Sequence, residues 1–465
     1  MPKHSLGYRV QHRVRTAIAM IVIALLVFAG SAFAATWNDI DTTVRSGSVK
    51  VVGQTKKDDT ILDPFNGQPI ELLVLGQDTR EGDGNAAIGG TSAHLKNNHQ
   101  ADTTMVVQIS ADRSWINLVS IPRDSIVDAP SCETTTGTIP ARQGVMFNSI
   151  FATGYAKGGD LASAASCTMT AVNALTGLNI QNFVVVDFQG LKNMIDAIGG
   201  VDICIPVDLQ DKKTHLNLAR GMQHLDGTTA TQYARMRHGT GTDGSDIMRT
   251  TRQQYLIKQL LKEAMDKNLF TQSGQLYQLA KTALQSLNFS EGMADTAVLA
   301  GLAMSMRDMD TDNLFTQTVP IVPAPDNPNR VVWAPKAANV WTKLQAGEPL
   351  AEKKKSSKKK SETSGSSSSD TTNNQSDSSK NDNDNIDSGD TNASSGSTDG
   401  STQTTTPKPD PVTGLITNEA GELIDPATGG RVDPESGSII DLETGQYIGI
   451  ANKYLNATVC AAPAN

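Results

Sequence analysis

The chain has 465 residues and a formal net charge of −9. That length allows a large core plus accessory segments. Net acidity argues against a nucleic-acid binder, which needs a broad basic face for phosphates, so no nucleic acid is expected as a partner and any basic site must be local.

The run Thr16 to Ala35, "TAIAMIVIALLVFAGSAFAA", is uncharged. It matches the roughly 20 residues a helix needs to cross a bilayer. Lys3, Arg9, Arg13 and Arg15 precede it, so the positive-inside bias predicts a single-pass cell-membrane protein with residues 1–15 cytoplasmic and everything after Ala35 outside. The rival is a cleaved signal peptide, because Ala32 to Ala34 reads "AFA". Residues 36–69 lack apolar periodicity and read as an extended juxtamembrane segment.

A globular region is expected over 70–350. Short β-branched runs predict strands at 70–75, 103–109, 115–121, 183–188 and 201–205. Helical periodicity predicts helices at 161–175, 191–198, 246–267, 270–287, 293–308 and 337–346. Such alternation implies an α/β fold, a layered sheet with helices on both faces. Residues 351–412 are Ser-, Asp- and Lys-rich with almost no apolar residue, which predicts a disordered linker. The tail, 413–465, repeats an apolar-apolar-Asp-x-x-(Thr/Ser)-Gly unit about every eight or nine residues, a pattern short strands with Asp/Gly turns would give. It reads as a small wall- or partner-binding module or as a decorative turn-rich end. Every charged motif precedes residue 254, so linker and tail are expected to be dispensable for chemistry.

The four cysteines, Cys132, Cys167, Cys204 and Cys460, suit an oxidising exterior and allow three full pairings. Cys132 with Cys167 is the preferred staple.

The stretch "YARMRHGTGTDGSDIMRTTRQQ" gathers Arg235, Arg237, Arg249 and Arg252. Ser245 or Asp246 can cap a helix whose stripe runs through Leu256, Ile257, Leu260, Leu261 and Ala264. Arg249, Arg252 and Gln253 fall on the same inward face. Alternation in "QYARMR" predicts Arg235 and Arg237 on one face of a strand. Two guanidiniums about 4 Å apart repel by roughly 4 kcal/mol at an effective dielectric near 20. Internal carboxylates or a bound diphosphate would offset that repulsion.

"LLVLGQDTR" places Asp78 and Arg80 just past a strand, "QADTTMVVQI" places Asp102 just before one, and "SIPRD" places Arg123 and Asp124 past another. With "FNSIFATGYAKGG", "GMQHLDGTTATQYARMRH" and "GSDIMRTTRQQ", these motifs resemble the LytR-CpsA-Psr family of cell-wall glycopolymer ligases over about residues 70 to 262. The resemblance implies an α/β enzyme that binds a polyprenyl diphosphate-linked glycan, with the lipid in an apolar pocket. It implies transfer of the phosphoglycan to a hydroxyl of peptidoglycan or another wall polymer. Asp78 and Asp102 would hold Mg²⁺, with Mn²⁺ as an alternative. Arg123, Arg235, Arg237 and Arg249 would act catalytically with Asp246, and Arg80, Arg252 and Gln253 would bind substrate. Two departures stand out: Gln100 where arginine is common, and Met248 where glycine is common. The insertion between Asp78 and Asp102 is expected to fold over the site, with His94 and His99 as loop residues. Rival functions are a non-catalytic wall-binding sensor and a diphosphate hydrolase. Arg237→Ala and Asp102→Ala are both expected to leave the unliganded fold intact, each removing a repelled charge.

Overall fold

A computed structural model describes residues 5–53, 67–81, 83–89, 99–242, 244–266, 273–307, 309–351, 407–443 and 445–461. Linker residues 352–406 and His94 lie outside the described residues. Residues 1–354 and 409–465 form one compact unit.

The first helix, α1, runs unbroken from Ser5 to Ser46. Its apolar stretch is long enough to cross a membrane. Residues 36–46 are therefore helical, not extended. From Asp39 onward the helix packs on the domain, with Ile40 and Val44 in a core cluster.

A seven-stranded mixed sheet organises that domain. Its order is Ser48–Val49, Leu287–Ser290, Asn182–Val186, Ile70–Asp78, Gln100–Ile109, Ile116–Ile121 and Leu314–Thr318. Alternation along Ile70–Asp78 splits two cores, as a pleat requires. Leu73 and Leu75 point into one with Phe151, Ala164, Val172 and Trp341. Leu72 and Val74 point into the other with Ile257, Leu261, Leu284 and Leu299. The helices reached on these faces come after a short α2 (Asp83–Gly89). α3 (Asn148–Gly158), α4 (Leu161–Thr176) and α10 (Ala337–Gln345) cover the first face, α7 (Asp246–Asp266), α8 (Ser273–Gln285) and α9 (Thr296–Ser305) the second, and α5 (Phe188–Ala197) and α6 (Gly227–Arg235) pack in a third core. An α/β layered sheet with helices on both faces is the architecture.

The strand Val201–Ile205 stands apart from the main sheet. It pairs antiparallel with Gly221–Leu225 and caps a third core containing Tyr233, Tyr255 and Leu256. Cys132 is bonded to Cys167, and Cys204 to Cys460.

The tail forms a five-stranded meander from Ile416–Thr417 to Tyr447–Ile450. Its repeat encodes the turns. The aspartates at 410, 425, 433 and 441 accept backbone N–H bonds two residues on or three on. Glycines four residues on, Gly414, Gly429, Gly437 and Gly445, hold positive φ, which only glycine tolerates freely. The tail is not a separate appendage: Leu455, fully buried, sits in the same core as Tyr255 and Leu256 of α7.

Candidate active site

The sequence-predicted residues converge at the carboxyl end of the central strands, around a cavity of about 330 Å³. Asp78, Asp102, Arg123, Arg235, Arg237, Arg249 and Gln253 line it. Asp78 and Asp102 arrive on adjacent strands, Arg123 just past the strand Ile116–Ile121, Arg235 and Arg237 at the end of α6, and Arg249 and Gln253 on α7.

Asp78 ends the strand Ile70–Asp78. The neighbouring strand bulges at Asp102, because Gly76 pairs with Thr103 and Gln77 with Ala101. A bulge re-aims the extra side chain, here into the cavity. Gly76 permits the close approach: a Cβ there would lie 2.8 Å from Thr103 Cβ. The Thr103 hydroxyl donates to Gln253 Oε1 (3.0 Å), and the Gln253 amide donates to the Ala234 carbonyl (3.1 Å).

Arg235 and Arg237 do not lie on a strand. Asp226 caps α6 by accepting from the Thr229 N–H. The helix then runs to Arg235, and Arg237 follows in the exit loop. Ser245 caps α7, accepting from the Met248 N–H at 3.1 Å. The inward face of α7 carries Arg249 and Arg252, each 5% exposed. Arg252 does not reach the cavity; it donates to the Met236 carbonyl and so braces the loop between Arg235 and Arg237.

Charge pairing is dense yet incomplete. Asp102 Oδ2 meets Arg123 at 2.8 Å and Arg249 at 3.6 Å. Asp246 Oδ1 meets Arg249 at 2.6 Å, Arg123 at 3.3 Å and Arg237 at 3.8 Å. Arg80 grips Asp78 at 2.9 Å. Arg330 pairs with Asp124 at 3.2 Å. Five arginines thus pair with four aspartates. Arg235 makes no ion pair among the described residues. It donates to the Ile88 carbonyl on α2, part of the insertion, and lies over Phe188, 4.4 Å from the ring centroid. Arg80 shares that ring at 5.6 Å.

Proton affinities follow these contacts. Burial pushes the Asp102 carboxyl up, but Arg249 and Arg123 outweigh it and hold it below its ordinary value. For Asp78 and Asp246 burial wins over the flanking arginines, and both are raised. Burial followed by neighbouring guanidiniums lowers Arg235 and Arg237. These two cations are the ones least compensated.

Arg80 and Asp246 therefore act behind the wall, holding Asp78 and three of the arginines. The cavity continues into an apolar wall of Val74, Met105, Val186, Phe188, Leu191, Leu256 and Ile257. Phe188 and Thr103 went unread in the sequence. Asp187, an N-cap accepting from the Gly190 N–H, was the signal that Phe188 starts a helix rather than ending a strand. His99 is a loop residue, just before the strand Gln100–Ile109. It is buried, stacked on Tyr155 at 3.6 Å and bonded to Gln77. His215, His224 and His238 are exposed.

Asp78, Asp102 and Asp187 line the cavity; Asp187 is engaged by the Gly190 N–H and the Asn85 amide, and among the described residues no cluster of three potential protein ligands forms. Asp102 Oδ1 is buried without a hydrogen-bond partner, and Asp78 Oδ1 lies 2.9 Å from the Arg80 guanidinium. That donor set fits Mg²⁺, which takes one or two carboxylates and completes its shell with phosphate and water oxygens.

The chain is similar to the cell wall biosynthesis protein LcpA of Corynebacterium glutamicum, at 25% identity over 66% of this chain and 60% of LcpA. It is also similar to TagV of Bacillus subtilis, a polyisoprenyl-teichoic acid–peptidoglycan teichoic acid transferase, at 25% identity over 45% and 50% of the two chains. The chain thus spans about half to three-fifths of these curated relatives. Among solved structures, a LytR-Csp2A-Psr enzyme from Actinomyces oris aligns at 19% identity and TM-score 0.45, covering 64% of this chain and 94% of that one. A model of the LytR_cpsA_psr family matches residues 37–346, the span that holds the main sheet and every arginine and aspartate of the cavity, and the chain belongs to that family.

Proposed function

We propose that this chain is a membrane-anchored, extracytoplasmic phosphotransferase. It moves a glycopolymer from a polyprenyl diphosphate carrier to a hydroxyl of peptidoglycan or another wall polymer. One observation carries the reading: Arg235, with no ion pair among the described residues, and Arg237, with Asp246 only at 3.8 Å, line a cavity that joins these least compensated guanidiniums to an apolar wall. A ligand with a diphosphate head and an apolar tail matches both halves. Teichoic acid transfer is what TagV's name records, and it accords with this chemistry.

Arg235, Arg237 and Arg249 would grip the diphosphate oxygens, with Gln253 adding a neutral donor. Arg123 and Asp246 would keep Arg249 aimed. The acceptor hydroxyl oxygen bonds to the glycan-bearing phosphorus as the bond to the bridging oxygen breaks; polyprenyl phosphate leaves, and the hydroxyl proton passes to the leaving phosphate or to water. Phosphoryl transfer is catalysed mainly by positioning and charge stabilisation. Asp78 and Asp102 would hold Mg²⁺, which when bound offsets diphosphate charge.

The deciding experiment incubates the full-length chain with a polyprenyl diphosphate glycan and peptidoglycan, with and without Mg²⁺. Glycan on the acceptor supports transfer. Released phosphate alone would identify a hydrolase. Binding with neither product would identify a wall-binding protein.

A further inference from the structure

We propose that α9 rests on the outer surface of the lipid bilayer beside the point where α1 emerges, through an apolar face of Ala297, Ala300, Ala303 and Met304. This rests on reading α1 as the membrane anchor.

The sequence of α9, "TAVLAGLAMS", has no charged residue. A helix without a polar face belongs in a core or a membrane. Only one side of α9 meets the core: Leu299 and Leu302 pack in the cluster that also holds Val74, Met105 and Ile257 of the cavity wall. The other side, Ala297, Ala300, Ala303 and Met304, is exposed, with Met304 at 66%.

The unbroken α1 says what covers that side. Its residues 16–38 are exposed, and burial against the domain begins at Asp39. Phe33 and Trp37 stack just before this boundary, where interfacial aromatics are expected. Asp39 takes bonds from Tyr277 and Lys281 of α8, and Asp41 accepts from Thr296, the first residue of α9, at 3.3 Å. Asp41 lies four residues beyond Trp37, about 6 Å along a helix axis. The start of α9 is therefore held within about the 5–10 Å depth of an interfacial helix layer. No flexible spacer separates anchor from domain.

The test uses the full chain in phospholipid nanodiscs with one introduced cysteine at a time, at Met304, Ala300, Phe28 or Met222. Each carries an environment-sensitive fluorophore; the native cysteines are all disulfide-bonded. Lipids bearing a nitroxide near the headgroup should remove most emission from the 304 and 300 labels and spare the 222 label. Lipids bearing it deep in the acyl chain should quench the 28 label. If 304 and 300 behave like 222 while 28 is quenched, the anchor stands and the docking face is refuted. If 28 also keeps its emission, α1 is outside the bilayer and both readings fall. Should Met304→Cys fail to fold, Ala300→Cys decides alone.

Discussion

Arg237 and Asp102 line the same cavity but hold opposite places in its charge balance. Arg237 has one carboxylate near it, Asp246 at 3.8 Å, and its charged form is disfavoured by burial and by Arg123. Asp102 is clasped by Arg123 and Arg249. Arg237→Ala should leave the unliganded melting point unchanged or slightly raised. It should also abolish most of the ligand-induced gain, about 2.7 kcal/mol at roughly 100 Kd of a lipid diphosphate. Asp102→Ala should instead cost about 1–3 kcal/mol without ligand, because it removes one of the carboxylates that Arg123 and Arg249 share and leaves Asp246 as the carboxylate common to both. From sequence the two changes look equally harmless; only the contact distances separate them. The Asp102 pKa is depressed on folding, so its stabilisation is present above the unfolded value and is lost as pH falls through the folded one. Thermal unfolding with and without ligand checks both variants. A badly melted Arg237→Ala protein that still binds would make Arg237 a structural ion-pair partner.

At the scale of elements, the cavity depends on where helices begin and end. The main strands and the helix runs were legible because apolar periodicity reports burial directly. Arg235 and Arg237 were misplaced because "QYARMR" alternates like a strand, while the sign of a helix, Asp226, lies nine residues before Arg235. Capping outweighed a short alternating pattern. Asp226→Ala should therefore cost about 1 kcal/mol. Bonds from the Thr229 N–H are the largest cause lowering the Asp226 pKa. A depressed acid stabilises above its unfolded pKa and loses that contribution as pH falls through the folded one. The stability gap between wild type and Asp226→Ala should accordingly shrink in acid, below the ordinary value of 3.8. Chemical denaturation at neutral and acid pH measures the gap; a constant gap would remove the charged cap as its cause.

At the scale of the whole molecule, the tail bears on the site from behind. Its repeat was legible as turns, but nothing in the repeat announces a partner surface, and the pairing of Cys204 with Cys460 spans 256 residues. The structure places Leu455 in the core beneath α7. Ser436, Ser438, Tyr447 and Ile450 gather with Met248, Thr251 and Arg252 around a small pocket on α7. Arg252 braces the Met236 carbonyl between the two least compensated arginines. Tyr255 accepts from the Cys204 N–H at 3.1 Å, linking α7 to the strand that holds the tail's disulfide. The expectation that chemistry ignores everything past residue 350 therefore conflicts with the packing. Leu455→Ala should cost about 3 kcal/mol through the cavity it leaves. Cys460→Ser should cost about 2–4 kcal/mol. A chain ending at Lys354 should melt lower than the full chain and lose part of its ligand-induced shift, because α7 loses one of its supports. Calorimetry on the two chains, with and without a lipid diphosphate, decides the matter: equal melting points and equal shifts would return the tail to the status of a passive end.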